Sequence, residues 1–544
     1  MMNIVGAGLA GLSAALTFAG QGVPVRLVSF QPSERAQSNL AEGGINAALD
    51  VMGEGDCPAF HFEDTMRGGC SLADPNMVRG LTEAAPGIVR QLCALGVPFH
   101  REDGHLMQRN FGGQKKKRTA YAMSSTGKVL MAAMIDAVRR FEAQGLVARF
   151  PHHCFEKLLI KDGTLCGAQV LDRFTGQRLL LDGPVLMGCG GMNGLFAGAT
   201  TGTTANTGSA AAMLFAQGVT FANLEFLQYH PTTASITGKR LLISEAARGE
   251  GGRLFYVGED GQNNYFLEEK YGPRGNLMPR DVISREMAFL GKQVYLDLTG
   301  LDAGTWREKL SDLREEIRHY LGIDAACEPV PVSPGIHYFM GGILTDEGHR
   351  TSLPGLYAAG ECACAYHGAN RLGGNSLLGA IYGGKKAAQS ALEDLYAERG
   401  NGQEPGEGTR KKPSFGPDAP EEIPGGRDEE DFCARPQEHE VEEAMTAVLL
   451  EGLSPLRDEA SIKGALEKLR ALQAPGYSGE LSSRLLLARA MLLCALERKE
   501  SRGAHTRTDY PEQREEFRKT TAVQYRDGEI RIEYRTIPEA ALTG

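Results

Sequence analysis

The first thirty residues contain the pattern that most restricts how this chain can fold. Residues 3–30 read NIVGAGLAGLSAALTFAGQGVPVRLVSF, which indicates a buried strand, a glycine turn, a helix and a second strand. Gly6, Gly8 and Gly11 fit the spacing G-x-G-x-x-G. The first glycine makes the tight turn, the second lets the backbone approach a pyrophosphate, and the third lets helix and strand pack closely, with phosphates at the helix N-terminus. The pattern therefore predicts a Rossmann-like unit that binds a dinucleotide.

The second strand departs from the NAD-binding version of this unit. It ends at Ser29, at a position where an Asp or Glu would hold a ribose hydroxyl. The serine can still form a hydrogen bond, but its presence argues against a site specific for NAD.

Length and charge limit the classes of protein to consider. With 544 residues the chain is too long for a single hydrophobic core, so we expect roughly two to four domains. The net charge of −10 argues against a nucleic-acid partner, which would favour a basic face. We find no signal peptide and no apolar stretch long enough to span a bilayer. We therefore expect a cytoplasmic protein, and any association with a membrane would need a partner.

The cysteines do not form a metal-binding pattern. There are eleven of them, scattered along the chain, and Cys362 and Cys364 are the one close pair. Iron–sulfur clusters need several thiolates at short spacing, and zinc needs paired ligands. We therefore expect no metal site and reduced, mostly structural thiols.

Changes in composition and periodicity predict the order of the remaining segments. We expect helices at 76–100 and 126–147, an antiparallel sheet at 155–187, a strand in GPVLMGCGG, a helix in NTGSAAAMLFAQGV, a lid at 234–336, a strand at GLYAAGE, a helix at about 375–397, a linker at 400–431, helices over 433–508 and a hairpin at 519–536 that turns at Asp527 and Gly528.

Nine segments together identify a family. They are LAEGGINAAL, FGGQKKKRTAYAMSSTG, LQYHPTT, ISEAARGEGG, MPRDVISRE, HYFMGGI, GLYAAGEC, HGANRLGGNSLL and ESRGAHTRTDYP, in this order. The chain resembles the flavoprotein subunit of fumarate reductase and succinate dehydrogenase, from Asn3 to about Glu533. Any one motif could arise by chance, but nine in one order could not, so the resemblance is specific.

The resemblance implies a fold. It is an α/β fold with a discontinuous Rossmann-like FAD-binding domain, an inserted α+β capping domain and a mainly helical C-terminal domain. On this chain we expect the FAD-binding domain at 1–233 and 337–399 and the capping domain at 234–336. A linker or exposed loop at 400–432 and a helical domain with a terminal hairpin at 433–544 would complete it.

The resemblance also implies FAD, with its pyrophosphate on the turn from Gly6 to Gly11. The other residues expected around it are Ser29, Ser38, Ala41, Glu42, Gly43, Gly44, Glu361, Ser376 and Leu377. Many relatives carry a histidine that bonds covalently to the flavin, and Gln37 stands at that position. Because glutamine cannot form this bond, we expect FAD to be held non-covalently. In this family the bond raises the flavin potential and favours succinate oxidation, so its absence favours fumarate reduction.

The implied reaction needs two carboxylates to be held while a hydride passes between flavin N5 and one alkene carbon. His230, Ser244, His337 and Arg371 match the family's substrate ligands, and we call them the clamp residues. A planar guanidinium such as that of Arg371 can bind a carboxylate through two parallel hydrogen bonds. The alternative for Arg371 is a purely structural role, as a helix cap or the partner of a structural acid.

A proton must also reach the neighbouring carbon, and Arg280 matches the residue that acts as acid and base in this family. Arginine hardly ever releases its proton, so only a dry, positively charged site beside a proton supply would allow this role. Glu245 and Arg248, three residues apart, match the family's proton relay to that arginine. Their alternative is a structural salt bridge on a surface helix.

Some positions depart from the family pattern and bear on the shape of the pocket. Ser244 replaces a Thr, Ser209 replaces an Asp near the flavin, Gly379 replaces an acidic residue, and Tyr366 lies in a loop one residue shorter than usual. Four other functions therefore stay open: an L-aspartate oxidase, a reductase of another unsaturated carboxylate, an FAD-dependent RNA-modifying protein and a non-catalytic flavin-binding scaffold. The acidic charge argues against the RNA-modifying protein, and the filled clamp and relay positions argue against the scaffold.

Electrons would have to come from outside the chain, which has no cluster ligands of its own. The resemblance implies an iron–sulfur protein subunit as the donor and a C4-dicarboxylate as the substrate.

Overall fold

A computed structural model describes residues 1–400, 421–423 and 436–539. The strands are β1 Met2–Val5, β2 Val25–Ser29, β3 Ile45–Asn46, β4 Arg101–Glu102, β5 His105–Leu106, β6 Gln108–Arg109, β7 Thr119–Ala120, β8 Val147–Pro151, β9 His153–Lys161, β10 Thr164–Asp172, β11 Arg178–Asp182, β12 Val185–Met187, β13 Phe221–Ala222, β14 Leu227–Ile236, β15 Lys239–Leu242, β16 Arg253–Val257, β17 Asn263–Asn264, β18 Val294–Asp297, β19 Val330–Phe339, β20 Gly342–Leu344, β21 Leu356–Ala358, β22 Ala363–Cys364, β23 Glu421–Ile423, β24 Lys519–Arg526 and β25 Glu529–Thr536.

The α-helices alternate with these strands in the first part of the chain and dominate the last. They are α1 Leu9–Gly20, α2 Pro58–Gly68, α3 Pro75–Ala94, α4 Thr126–Ala143, α5 Ser209–Ala216, α6 Glu245–Gly249, α7 Phe266–Tyr271, α8 Arg280–Leu290, α9 Ala303–Glu308, α10 Ser311–Leu321, α11 Asn375–Gly400, α12 Pro436–Gly452, α13 Glu459–Ala471 and α14 Gly479–Glu497. None of the helices in the described part of the chain is both long and apolar enough to cross a membrane.

A parallel sheet of five strands forms the Rossmann-like part, in the order β21-β12-β1-β2-β8. All four residues of β1 are buried, as expected for a parallel strand covered on both faces. The long helix α11 packs against α1, and a Cβ at Gly384 would lie 2.1 Å from the Ala10 carbonyl oxygen. Since the carboxyl ends of parallel strands meet at one edge, the turn after β1 lies beside the loop after β12.

An inserted unit adds a six-stranded sheet in the order β15-β14-β19-β18-β16-β17. The expected domain boundaries at 233/234 and 336/337 fall inside β14 and β19, which pair with each other and bring His230 opposite Gly335. The two strands continue without a break from one unit into the other. Side chains near these boundaries are therefore held by paired strands, and the division into domains stays a prediction.

The C-terminal segment is helical for a shorter stretch than expected. The prediction of helix over 433–508 is wrong for 498–508, because α14 ends at Glu497 and Arg498 is extended, with φ −76° and ψ 96°. The predicted hairpin is confirmed as β24 and β25, and its turn residues Asp527 and Gly528 have φ 54° and 80°. Strand β24 also pairs with β13, so the segment returns to the α/β part.

The expected linker at 400–432 lies mostly outside the described residues. Its described parts are Gly400, which ends α11, and β23, which pairs with β11 of the antiparallel sheet β23-β11-β10-β9. The α/β class predicted from the sequence is confirmed by the parallel sheet, the inserted sheet and the C-terminal helices.

Candidate active site

A cavity of about 800 Å³ opens at the carboxyl end of the parallel sheet. The predicted cofactor residues on its wall are Gly6, Gly8, Ser29, Ser38, Ala41, Glu42, Gly43, Gly44, Glu361, Ser376 and Leu377. The four clamp residues, Arg280 and Glu245 line the same cavity. Two predicted site residues, Gly11 and Arg248, lie behind the wall. The fold thus brings together residues that are more than 300 positions apart in the sequence.

The glycine turn after β1 has no room for side chains. Gly6 has φ 117°, and a Cβ there would lie 2.0 Å from the Gly188 carbonyl oxygen. A Cβ at Gly11 would lie 1.8 Å from the Gly6 carbonyl oxygen. Helix α1 begins after Gly8, which has no side chain to cap it, and the Leu9 N–H donates to the Ser38 hydroxyl at 3.3 Å. The next amides of the first turn can face a ligand. This geometry suits a pyrophosphate, as the spacing predicted.

Gln37, Glu42 and Glu361 line the cavity beyond the glycine turn. Gln37 lies on the wall, and its Oε1 accepts a hydrogen bond from the Thr203 backbone N–H at 2.6 Å. Burial raises the pKa of Glu361 to about 7, and its Oε1 accepts a hydrogen bond from the Phe339 N–H at 3.2 Å. The Oε2 atom of Glu42 is buried without a hydrogen-bond partner among the described residues. A bound ligand can supply the missing partner.

Two clamp histidines face each other from paired strands. The ring centroids of His230 on β14 and His337 on β19 are 5.1 Å apart. Burial is the main cause, and the charge of Arg280 the second, that holds the pKa values of both histidines well below their usual range. Both rings are therefore neutral. The Thr201 hydroxyl lies 2.8 Å from His337 Nδ1. If it donates there, Nε2 of His337 carries the proton.

Gln228 joins two buried guanidinium groups. Its Oε1 accepts from Arg371 Nη2 at 3.0 Å and from Arg280 Nη1 at 3.2 Å. Arg371 also lies over the Tyr338 ring, 4.4 Å from its centroid, and burial together with Arg280 lowers its pKa. A helix-cap role for Arg371 is excluded by these contacts. The site therefore presents two neighbouring cations at one point of the cavity wall.

Sequence reasoning missed Gln228, Thr201 and Tyr338 as parts of the site. Two of them carried a signal. Gln228 precedes His230 by two positions and Tyr338 follows His337, within motifs that had been noticed, and residues two apart on a strand share a face. Thr201 had no such signal, because its contact with His337 depends on a loop distant in the sequence.

Arg280 is the first residue of α8 and forms an ion pair with Glu245. Its Nε and Nη2 atoms donate to Glu245 Oε2 at 2.9 and 2.7 Å. Arg248 Nη2 lies 3.5 Å from the other carboxylate oxygen, Oε1. Burial alone would raise the pKa of Glu245, but the two arginines lower it overall. All three side chains are buried, which excludes a surface salt bridge for Glu245 and Arg248.

Ser244 precedes this group as the N-cap of α6. Its hydroxyl accepts a hydrogen bond from the Ala246 N–H at 3.5 Å while lining the cavity. One helix start thus places Ser244 at the cavity and Glu245 against Arg280.

Known proteins and protein families are similar to this chain over most of its length. Residues 3–377 match the family model described as an FAD binding domain, and residues 442–542 match the one described as fumarate reductase flavoprotein C-term. The succinate dehydrogenase flavoprotein subunit of Bacillus subtilis is 37% identical, over 96% of this chain and 93% of the relative. This chain belongs to the succinate dehydrogenase and fumarate reductase flavoprotein family.

Two further matches describe the breadth of this flavoprotein family. An L-aspartate oxidase from Streptomyces coelicolor is 32% identical, over 93% of this chain and 88% of the relative. A solved structure of Escherichia coli quinol fumarate reductase carrying one mutation is 29% identical, with a TM-score of 0.85, over 100% of this chain and 97% of that chain. The predicted family and fold class are confirmed, and the chain is a flavoprotein oxidoreductase.

The cavity of this flavoprotein fits FAD. The turn at Gly6 and Gly188 has space for backbone contact and none for a side chain, which suits the pyrophosphate. The clamp residues and the unpartnered Glu42 oxygen lie on the same wall, where the flavin would face the substrate. The match to the FAD-binding family model and the fit of the cavity therefore both support FAD as the cofactor.

Proposed function

We propose that this flavoprotein interconverts fumarate and succinate, with fumarate reduction as its favoured direction. The carrying observation is the pair of guanidinium groups of Arg280 and Arg371, which meet at Gln228 Oε1 in the cavity that holds the predicted FAD residues. Two adjacent cations and two neutral imidazoles match a small dianion with carboxylates at both ends. The homology to succinate dehydrogenase and fumarate reductase subunits supports the same substrate class.

The clamp residues bind and orient the substrate. Arg371 has a guanidinium held from behind by Gln228, so its outer N–H groups can bind one carboxylate in parallel. When the Thr201 hydroxyl donates to His337 Nδ1, His337 can donate from Nε2 to a carboxylate oxygen. FAD, when bound, would supply the hydride at N5. The protein would fix the alkene carbon against it and exclude water from the closed site.

Arg280 would deliver the proton to the carbon next to the one that receives the hydride. Arg371 shares Gln228 Oε1 with it, and Arg248 shares the Glu245 carboxylate with it, so the proposed donor lies among three guanidinium groups. Glu245 contacts Arg280 on one side and Arg248 on the other. A proton passed from Arg248 through Glu245 would restore Arg280 after each turnover.

FAD would be held without a covalent bond, since Gln37 stands where relatives link the flavin. Acid precipitation should then release yellow flavin into the supernatant. Flavin that stays with the pellet would contradict this part of the proposal.

The electron donor would be an iron–sulfur protein subunit. We propose that the protein works in the cytoplasm as the catalytic subunit of a larger complex, held at the inner face of the membrane through its partners. Purification under mild conditions from the native source should yield an iron-containing complex, and isolation of a fully active single chain would contradict it.

An anaerobic assay with a reduced dye tests the reaction. We expect fumarate to oxidise the dye, and we expect Arg280→Ala to lower kcat at least about 100-fold, the usual contribution of a general acid. Arg274→Ala, at an exposed arginine shortly before α8, is the matched control and should change kcat less than twofold. Turnover that survives Arg280→Ala would refute the assigned acid.

The same assay separates the competing substrates. Oxidation of L-aspartate without fumarate reduction would establish the oxidase function found in the Streptomyces relative. Preference for another unsaturated carboxylate would keep the chemistry and change the substrate. Three guanidinium groups, those of Arg280, Arg371 and Arg248, face a single carboxylate, that of Glu245, so the site has an excess of positive charge. This excess argues against a substrate with an ammonium group, because the positive charges would repel that group.

A further inference from the structure

The adenosine end of the cavity lacks the acidic residue that Rossmann units use for a ribose. Strand β2 ends at Ser29, whose hydroxyl offers one oxygen where Asp or Glu would offer two. Because the clamp residues fix the flavin end and the turn at Gly6 fixes the pyrophosphate, the adenosine would lie beyond Ser29. A ribose acceptor can therefore come from another part of the wall.

Seven carboxylates line the cavity within the described residues. They are Glu42, Glu156, Glu245, Glu361, Glu438, Glu442 and Glu480. Glu245 pairs with Arg280. Glu361 accepts a hydrogen bond from the N–H of Phe339 on β19, the strand that carries His337. Glu42 is the neighbour of Gly43 in the sequence. These three belong to the flavin end of the cavity.

Three of the other four are already bound by the protein. The contacts are Glu156 with Arg178 at 3.1 Å, Glu442 with Arg484, and Glu438 with the Ser478 backbone N–H at 2.7 Å. A carboxylate engaged in this way has less capacity to accept hydrogen bonds from a ligand.

Glu480 differs from them. It is the second residue of α14, and within the described residues its one hydrogen bond is accepted from the Ser209 hydroxyl. It lines the cavity together with His153 and Cys154 of β9. Strand β9 follows β8, and β8 pairs with β2 at Pro151 and Ser29. Glu480 therefore lies on the Ser29 side of the cavity with accepting capacity left.

We propose that Glu480 accepts hydrogen bonds from the ribose hydroxyls of the adenosine half of FAD. Its two oxygens match a vicinal diol, and the Ser209 hydroxyl holds the carboxylate toward the cavity. A residue of the C-terminal helical segment thus supplies the acid that β2 lacks. The contact would link α14 to the adenosine half of FAD, independently of which dicarboxylate is reduced.

Affinity for FAD in the full-length, flavin-free protein tests the assignment. Glu480→Ala should weaken FAD binding about 10-fold or more, measured by the change in FAD fluorescence, since a hydrogen bond to a charged acceptor is lost. Glu467→Ala, an exposed carboxylate on α13 that does not line the cavity, is the matched control and should stay within about twofold. Equal affinities of the two variants would overturn the proposal.

A ligand lacking the ribose hydroxyls locates the contact. By calorimetry, the unaltered protein should bind ADP about 10-fold more tightly than 2′,3′-dideoxy-ADP, and Glu480→Ala should bind both alike. An equal preference for ADP in both proteins would place the ribose elsewhere and overturn the proposal. If FAD proves to be covalently bound, flavin-free protein can be prepared from riboflavin-depleted cells. Failure of the Gln37 proposal can then be distinguished from failure of the Glu480 proposal. Should Glu480→Ala not fold, Glu480→Met, which has a similar length and no accepting oxygen, gives the same comparison.

Discussion

At the scale of single residues, hydrogen bonds behind the clamp residues would decide which atoms face the proposed substrate. His337 is neutral, so only one of its two ring nitrogens carries a proton. The Thr201 hydroxyl lies 2.8 Å from Nδ1 and 3.4 Å from the Ile336 carbonyl oxygen, and its donation to Nδ1 would place the ring proton on Nε2. The donor offered to the proposed carboxylate would then depend on Thr201, which does not line the cavity.

Replacing Thr201 tests this dependence. Thr201→Val removes the hydroxyl at nearly constant volume, and we expect KM for fumarate to rise about 5- to 20-fold, equivalent to ~1–2 kcal/mol. Thr201→Ser keeps the hydroxyl and should remain within about twofold. Steady-state kinetics in the dye assay measure both, and an unchanged KM in Thr201→Val would mean that another contact fixes the ring.

At the scale of elements, helix α1 depends on its close approach to the strand before it. Gly11 packs on the Gly6 carbonyl oxygen, whereas Gly20 at the far end of the same helix has nothing within 4 Å of its would-be Cβ. Gly11→Ala should therefore displace the helix and abolish FAD retention. Gly20→Ala should leave retention intact and stabilise the protein by up to ~1 kcal/mol. The ratio of flavin to protein absorbance after gel filtration distinguishes the two.

The loop after α14 supports the loop that carries Arg371. Ala504 N–H donates to the Ala369 carbonyl oxygen at 2.9 Å, and a Cβ at Gly503 would lie 2.5 Å from that oxygen. Gly503 has φ 53°, so Gly503→Ala adds a steric clash to backbone strain. We expect a loss of about 3 kcal/mol or more in stability and a higher KM for fumarate.

Gly528→Ala is the control for this prediction. Gly528 also has positive φ, at 80°, but no atom lies within 4 Å of its would-be Cβ. It should lose only about 1 kcal/mol and keep the KM of the unaltered enzyme. Thermal unfolding and steady-state kinetics compare the stability and the KM of the two variants. Equal values would show that the contact with Ala369 contributes neither to stability nor to substrate binding.

The sequence predicted the local patterns of the fold better than its long-range contacts. The turn at Gly6 and the hairpin at Asp527 have local signals, and the structure places them as expected. The clamp motifs also have local signals, and their residues line one cavity. The end of the C-terminal helices was missed because Arg498 leaves the helix to meet Glu225, a partner distant in the sequence. The contact of Thr201 with His337 was missed for the same reason. Patterns along the chain report neighbours along the chain, and buried polar pairs between distant segments leave no such pattern.

At the scale of the whole molecule, a buried charge network joins the C-terminal segment to the α/β part. Arg498 pairs with Glu225 at 2.6 Å and with Glu500 at 2.9 Å, and all three side chains are fully buried. Arg502 extends the network from Glu500 to the Cys70 carbonyl oxygen. Removal of one partner would leave buried charges without compensation.

Arg498→Met should therefore destabilise the protein by ~3–5 kcal/mol, the usual cost of an uncompensated buried ion. Lys463→Met breaks the exposed pair with Glu459 and should cause no measurable change. The midpoints of urea unfolding compare the variants. A small effect of Arg498→Met would mean that water reaches Glu225 and Glu500 after the substitution.

The pairing of β13 with β24 has a consequence for how the protein is made. Phe221 lies beside Val523, so the sheet that contains both cannot be completed until the later strand has left the ribosome. The nascent chain carries β13 with this edge unpaired until β24 has been made, and because β13 is only two residues long, the edge offers little to pair with another chain.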